Sequence, residues 1–305
     1  MKLGVFTAIL DHQPLETALD YLQGLGVQAV ELGCGGTAGH SHANPEILLN
    51  DAGALREFQR TIDRHHMEIS ALSCHGNPVH PNPETARAYD KTIRDTILLA
   101  QRLGLRRINT FSGCPGSDPD AHYPNWVTCP WPEDFQEVLD YQWNQVLIPY
   151  WRETAAFAAE HGVTQIALEM HPGFCVYHTE SLLRLRRAVG EQIGANLDPS
   201  HLIWQGMDPI AVIRALKGAI FHFHVKDTKI DPYNTAVNGV LDTKPYREQE
   251  TRSWNFRSVG YGNGPLYWKD MISNLRLAGY DHVISVEHED GLMSRSEGLA
   301  KACGF

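Results

Sequence analysis

Eight short apolar or β-branched runs alternate along this chain with stretches whose apolar residues recur at helical spacing. The predicted strands are Lys2–Ala8, Ala29–Leu32, Glu68–Cys74, Arg107–Ser112, Gln165–Met170, Gly194–Asp198, Ala219–Val225 and His282–Glu287, each bounded by Gly, Pro or polar residues. The predicted helices are Leu15–Gly24, Ala54–His65, Pro83–Leu103, Glu133–Glu160, Glu180–Val189, Pro209–Leu216, Leu266–Leu277 and Arg295–Cys303. In the first, Leu15, Ala18, Leu19 and Leu22 make one apolar stripe. Gly26, Gly104, Gly162 and Gly279 each precede an apolar residue that opens the next element, where glycine supplies the left-handed position past a helix end. Eight βα units with a buried parallel sheet predict an α/β fold, a (β/α)8 TIM barrel spanning residues 1–305 as a single domain. A doubly wound open sheet is the alternative. No G-x-G-x-x-G follows the first strand, which argues against a dinucleotide-binding fold. The GYGNG run at 260–264 reads as a turn.

Charge and cysteine usage narrow the partners. Lys+Arg 26 against Asp+Glu 36 gives a net charge of −10. Such a chain repels phosphate backbones, so neither nucleic acid nor an anionic membrane is the expected partner. No apolar run is long enough to span a bilayer. The run Val5–Leu10 meets Asp11 too soon for a signal peptide. The six cysteines form no C-x-x-C pair, and a reduced, cytoplasmic protein is expected. The 16 histidines are the unusual number, and their positions matter.

Strand after strand ends in an acid or a histidine. The second ends at Glu31, the third at His75, the fifth at Glu169 and His171, and the sixth at Asp198 with His201 three residues on. The seventh carries His222, His224 and Lys226 on one face, and the eighth ends at Glu287. In a barrel these ends converge on the face where active sites lie. Converging buried carboxylates repel one another unless a cation joins them. Glu169, Asp198, His224 and Glu287, from strands five to eight, are the candidate ligands of one divalent metal ion. Three carboxylates and one imidazole suit Mn²⁺ first, then Mg²⁺, with Co²⁺ or Zn²⁺ as further alternatives. Two open positions on a six-coordinate ion would take two neighbouring sugar oxygens, and the ion would stabilise an enediolate. His222 is read as a hydrogen-bonded interior histidine or a support to the ligands. His12, His65, His66 and His161 are read as helix surface, and His40 and His42 as candidates for the pocket rim.

The motifs ALEMHPG, NLDPSHL, FHVKD and SVEHED resemble the xylose-isomerase-like TIM barrels, a family that includes sugar phosphate isomerases and epimerases. The resemblance covers essentially the whole chain, and its metal ligands fall on Glu169, Asp198, His224 and Glu287. It implies a catalytic pair, Glu169 and Glu287, one removing a proton from a sugar carbon and the other returning it. It also implies that His201 contacts substrate. Lys226 is placed near the developing charge, and His75, His171 and Arg257 complete the candidate substrate-binding set. The expected activity is a metal-dependent sugar isomerase or epimerase. No phosphate-binding glycine loop is evident near the last two strands, so an unphosphorylated sugar or sugar derivative is expected.

Three other activities compete with this expectation. An endonuclease-like phosphodiesterase needs further zinc-binding histidines, yet none lies between His224 and His282. A metal-dependent lyase or deglycosidase would use the same metal for β-elimination from a 3-keto sugar, with His75, His171 or His201 as base. A non-catalytic sugar sensor would never exchange a substrate proton. Two long connections, Gly113–Pro132 and Asp227–Pro265, carry Tyr123, Trp126, Trp131, Trp254 and Phe256. They are expected to cap the pocket with Trp126, Trp254 or Arg257 near the ligand, or else to form a homo-oligomer interface.

Overall fold

The computed structural model describes the chain from Met1 to Phe305. Seven strands follow in order, β1 (Lys2–Phe6), β2 (Ala29–Gly33), β3 (Glu68–Ser73), β4 (Arg107–Thr110), β5 (Gln165–Glu169), β6 (Ile193–Leu197) and β7 (Ile220–Val225). An antiparallel pair comes next, β8 (Asp227–Ile230) and β9 (Trp254–Arg257), and β10 (Val283–Val286) completes the set. β1 to β7 and β10 close into one parallel barrel, sealed where Lys2, Leu3, Gly4 and Val5 pair with Val283 to Val286. That closure settles the choice between barrel and open sheet.

Strand alternation divides the residues between two surroundings. Val30, Ile108, Ile166, Leu168, Phe223 and Val286 belong to the apolar layer between strands and helices, where each buried side chain contributes about 1.5–3 kcal/mol. Their neighbours Glu31, Asn109, Asn196, His222, His224 and Ser285 are buried and polar. A barrel interior is ordinarily filled by branched apolar side chains. Here a polar network takes that place, at the end of the barrel that holds the site.

The structure departs from the sequence-based expectation in four places. The helix expected over 133–160 is interrupted by a wide π turn at Tyr141–Leu147, followed by Ile148–Glu160. Pro149 cannot donate the backbone bond that a regular α turn requires there. The 227–265 connection is not irregular, since it folds as β8, a helix at Pro232–Asn238, and β9. His65 is no surface residue: it is buried, with Nδ1 2.7 Å from the Thr61 carbonyl and Nε2 3.0 Å from Asp20. His42 is also buried, against the Gln13 carbonyl at 3.0 Å, whereas His40 is exposed.

Both long connections are anchored. Buried Gln142 donates to the carbonyls of Pro115, Gly116 and Asn125 at 3.1, 3.2 and 2.6 Å, which pins the segment after β4. After β7, the Asp227 carboxylate accepts from the backbone N–H groups of Thr228, Gly260, Gly262 and Asn263 at 2.8 to 3.1 Å, and from Asn263 Nδ2 at 2.7 Å. The GYGNG turn is therefore a nest of donors around an internal carboxylate. Gly262 is required, because a Cβ there would sit 2.5 Å from the Thr228 carbonyl oxygen and 2.6 Å from Asp227 Oδ1.

Candidate metal centre and adjoining cavity

Four backbone positions deliver the quartet. Glu169 is the last residue of β5, and Asp198 follows β6 directly. His224 lies in β7, and Glu287 follows β10. One donor atom from each lies within 4.8 Å of the other three. Atoms so spaced all fall within about 3 Å of a common point, close to the reach of metal–oxygen and metal–nitrogen bonds.

The partners of these donors show which atoms are free. Asp198 caps the helix Pro199–Trp204: Oδ1 accepts from Ser200 N at 2.8 Å, while buried Oδ2 accepts no hydrogen bond. His224 Nε2 lies 2.9 Å from Glu31 Oε2, and its other nitrogen, Nδ1, has no hydrogen-bond partner although Glu287 Oε2 is 3.0 Å away. A proton on Nε2, donated to Glu31, leaves the Nδ1 lone pair for a cation. A carboxylate oxygen and an imidazole nitrogen, both buried and unpaired within the same donor set, fit a divalent ion.

Glu31 holds the centre from below. It accepts from Ser73 Oγ at 2.6 Å, Asn109 Nδ2 at 2.9 Å and Ser285 Oγ at 2.8 Å, besides His224. Burial opposes its ionisation, but the neighbouring His224 and His222 keep it a carboxylate. His222 is interior, between Asn196 Oδ1 at 3.0 Å and Ser70 Oγ at 3.1 Å, and supports the network that carries His224.

The electrostatics are those of crowded acids. Burial pushes Asp198 up to about 7, with Glu169 and Glu287 adding to the rise against the pull of Lys226. Burial also opposes ionisation of Glu287, yet Lys226 and His224 hold it down to about 2. The buried Lys226 ammonium lies 2.5 Å from Glu289, 3.3 Å from Glu287 and 3.6 Å from Asp198. These acids keep it charged despite its burial.

The histidines divide by surroundings. His75 Nε2 is 3.0 Å from Glu169 Oε2, and its ring meets Phe111 edge-on at 4.6 Å. His201 Nε2 is 3.1 Å from Glu169 Oε1 and 3.4 Å from Asp198 Oδ2. Burial lowers His201 to about 3, so it is neutral. The His171 ring lies 4.0 Å from that of His201, and burial holds its value below the ordinary one.

A cavity of about 260 Å³ opens on the quartet, lined by Phe6, His75, Phe111, Glu169, Lys226 and Glu287 among others, with His171 also in its wall. Its size suits one small ring. Of the expected substrate-binding residues, His75, His171 and Lys226 reach this cavity, and His201 touches Glu169 behind it. Arg257 is placed elsewhere, its Nε donating to Asp290 at 2.9 Å. Of the loop aromatics, Trp126 and Trp254 come together beside His171 in a second cavity, whereas Tyr123 and Trp131 are exposed. Sequence reasoning gave Glu31, Phe6, Phe111 and Glu289 no role. For Glu31 the only signal was a charge within an apolar run, since it lies mid-strand in β2.

The chain belongs to the xylose isomerase-like TIM barrel family, whose model matches residues 19–305. It is 40% identical over 301 residues to the uncharacterised protein YfiH of Bacillus subtilis, covering 98% of this chain and 96% of the relative. The fold is shared with AsbF of Bacillus anthracis, a probable 3-DHS dehydratase involved in petrobactin synthesis, at a TM-score of 0.68 and 18% identity, over 100% and 98% of the two chains. It is also shared with the IolI protein carrying a bound zinc atom, at a TM-score of 0.67 and 20% identity, over 99% and 95%. No helix is long and apolar enough to cross a membrane.

Proposed function

We propose that this protein is a divalent-metal-dependent isomerase or epimerase of an unphosphorylated sugar or sugar derivative. The observation that carries this reading is the joining of two carboxylates, buried Glu169 and half-buried Glu287, in one donor set on the wall of a sugar-sized cavity. Glu169, Asp198, His224 and Glu287 would hold the ion, and the zinc atom bound by IolI supports a metal on this fold. The oxygen-rich ligands favour Mn²⁺ or Mg²⁺, with Co²⁺ and Zn²⁺ as alternatives. When bound, the ion supplies Lewis acidity to substrate oxygens beside the reacting carbon.

The chain's own residues then move the proton. One glutamate, ionised as both are in the free site, takes it from a carbon next to a carbonyl, and the other, once it has taken up a proton from solvent, returns that proton to the opposite face. The Lys226 ammonium stabilises the negative charge that builds on the substrate. Phe6 and Phe111 give the cavity apolar faces for the C–H side of a sugar ring and help to keep water out. The seat for a phosphate in many (β/α)8 barrels lies in the loops after the last two strands, at a helix N-terminus. Here the carboxylate of Asp227 fills the corresponding nest ahead of the helix Pro265–Leu277, which supports an unphosphorylated substrate.

The test is a panel of ketoses and aldoses incubated with Mn²⁺-loaded protein in D₂O. The expected result is deuterium at one substrate carbon with mass otherwise conserved. Glu287→Gln should slow that exchange by about 10²–10⁴-fold while the circular dichroism spectrum is unchanged. Unchanged exchange in the variant would overturn the assignment.

A second reading is β-elimination from a 3-keto sugar. It is favoured by His171, an uncharged base within the same cavity, on a fold that also carries a probable dehydratase. Elimination releases a water molecule or an aglycone, and product mass separates the two.

A further inference from the structure

His171 lines a second cavity, of about 220 Å³, on the side away from Phe6 and Phe111. Its walls include Trp126, Trp204, Trp254 and Tyr246, with His201 beside His171. The three indoles come from the segments after β4 and β6 and from β9, all at the end of the barrel that holds the quartet. Trp204 and Trp254 stack with centroids 4.5 Å apart and planes 5° from parallel. Trp204 closes the short helix that Asp198 caps, so this wall is rigidly tied to a metal-ligand position. Trp126 sits in the segment that Gln142 pins.

Two features mark the chamber as more than packing. Trp254 donates its N–H to the Val240 carbonyl at 3.0 Å, but the buried N–H groups of Trp126 and Trp204 meet no acceptor in the protein. Buried donors of this kind are unfavourable until an acceptor arrives. The aromatic wall suits a ring, and oxygen atoms on that ring would pair these donors once the indoles turn toward it. The volume admits one such ring.

We infer that this chamber binds a second ring of the substrate, linked past His171 to the sugar seated against Glu169 and Glu287. The inference rests on the sugar-site reading and names its substrate class: a glycoside whose second ring, aromatic or sugar, bears oxygen acceptors. His171, shared by both cavities, is the partition past which the linking bond runs.

Matched methyl and phenyl glycosides of glucose, galactose and xylose, titrated calorimetrically into Mn²⁺-loaded protein, test this. At least one phenyl glycoside should bind about tenfold more tightly than its methyl partner. Thr243 lines the chamber and is exposed, so Thr243→Trp should fill the chamber without disturbing the core and erase that preference. Trp126→Phe keeps a ring but removes a donor, and should weaken a hydroxyphenyl glycoside about fivefold while leaving the unsubstituted phenyl glycoside unchanged. Replacing phenyl by a second sugar identifies the ring: equal affinity makes it a sugar, and weaker binding makes it aromatic. Binding within twofold for every pair, or binding of none, overturns the chamber. Deuterium exchange into free sugars in that case leaves the isomerase reading standing. A ring preference without any exchange fails that reading and keeps the chamber.

Discussion

Nε2 of His224 lies 2.9 Å from Oε2 of Glu31, so the imidazole commits one nitrogen to the barrel interior and leaves the other to the donor set it forms with Glu169, Asp198 and Glu287. This carboxylate–histidine pairing fixes the tautomer and raises the basicity of the ligating nitrogen. Glu31→Gln retains the shape and loses the charge. Affinity for Mn²⁺, measured by competition with a chromogenic chelator, should fall about 10–100-fold. Undiminished affinity would show that the Glu31 contact does not tune the ligand.

His201 touches two members of the quartet, at 3.1 Å from Glu169 and 3.4 Å from Asp198, yet stands outside it. Its neutral ring positions Glu169 and meets Phe256 edge-on at 5.3 Å. His201→Ala should therefore weaken sugar binding and slow proton exchange more than it weakens metal binding. Calorimetric titrations with Mn²⁺ and with sugar separate the two effects. A collapse of metal affinity with sugar affinity intact would make His201 a ligand and displace one of the four.

The barrel was legible because each unit states its type twice, in a β-branched run and in a helical stripe, so all eight strands fall where the pattern puts them. The convergence of the quartet was legible for a related reason: strand ends in a closed barrel meet. Glu31 was harder. It precedes the rim on β2, where a charged residue in an apolar run signals only burial; its partners Ser73, Asn109 and Ser285 lie on three other strands. The order in residues 227–265 was hidden because β8 and β9 are four residues each and pair across a long separation. Asp227 illustrates the limit: beyond the neighbouring Thr228, its donors Gly260, Gly262 and Asn263 lie more than thirty residues away.

Asp227 provides a stability test. Its buried carboxylate accepts from four backbone N–H groups and from Asn263 Nδ2, and the donors are left unpaired when it is removed. Asp227→Ala should cost roughly 2–4 kcal/mol in urea unfolding, within the range for losing hydrogen bonds to a buried charge. The emptied nest should also gain affinity for an anion, so inorganic phosphate should raise the melting temperature of the variant more than that of the parent. An equal response in both would show that the nest closes when the carboxylate is lost.

His282 sets a pH limit on stability, away from the candidate metal centre. Burial lowers its imidazole to about 4, and the Arg107 guanidinium pushes the same way. The folded protein therefore holds this ring neutral, whereas the unfolded chain protonates it near pH 6.5. The contribution is fully present above about pH 6.5 and drains away as the pH falls toward 4, because the unfolded state takes up the proton first. His282→Gln lacks that titration. Melting temperatures of parent and variant compared from pH 7.5 to 4.5 should show the parent losing more stability than the variant below pH 6.5. Parallel curves would mean that another group governs the acid limb.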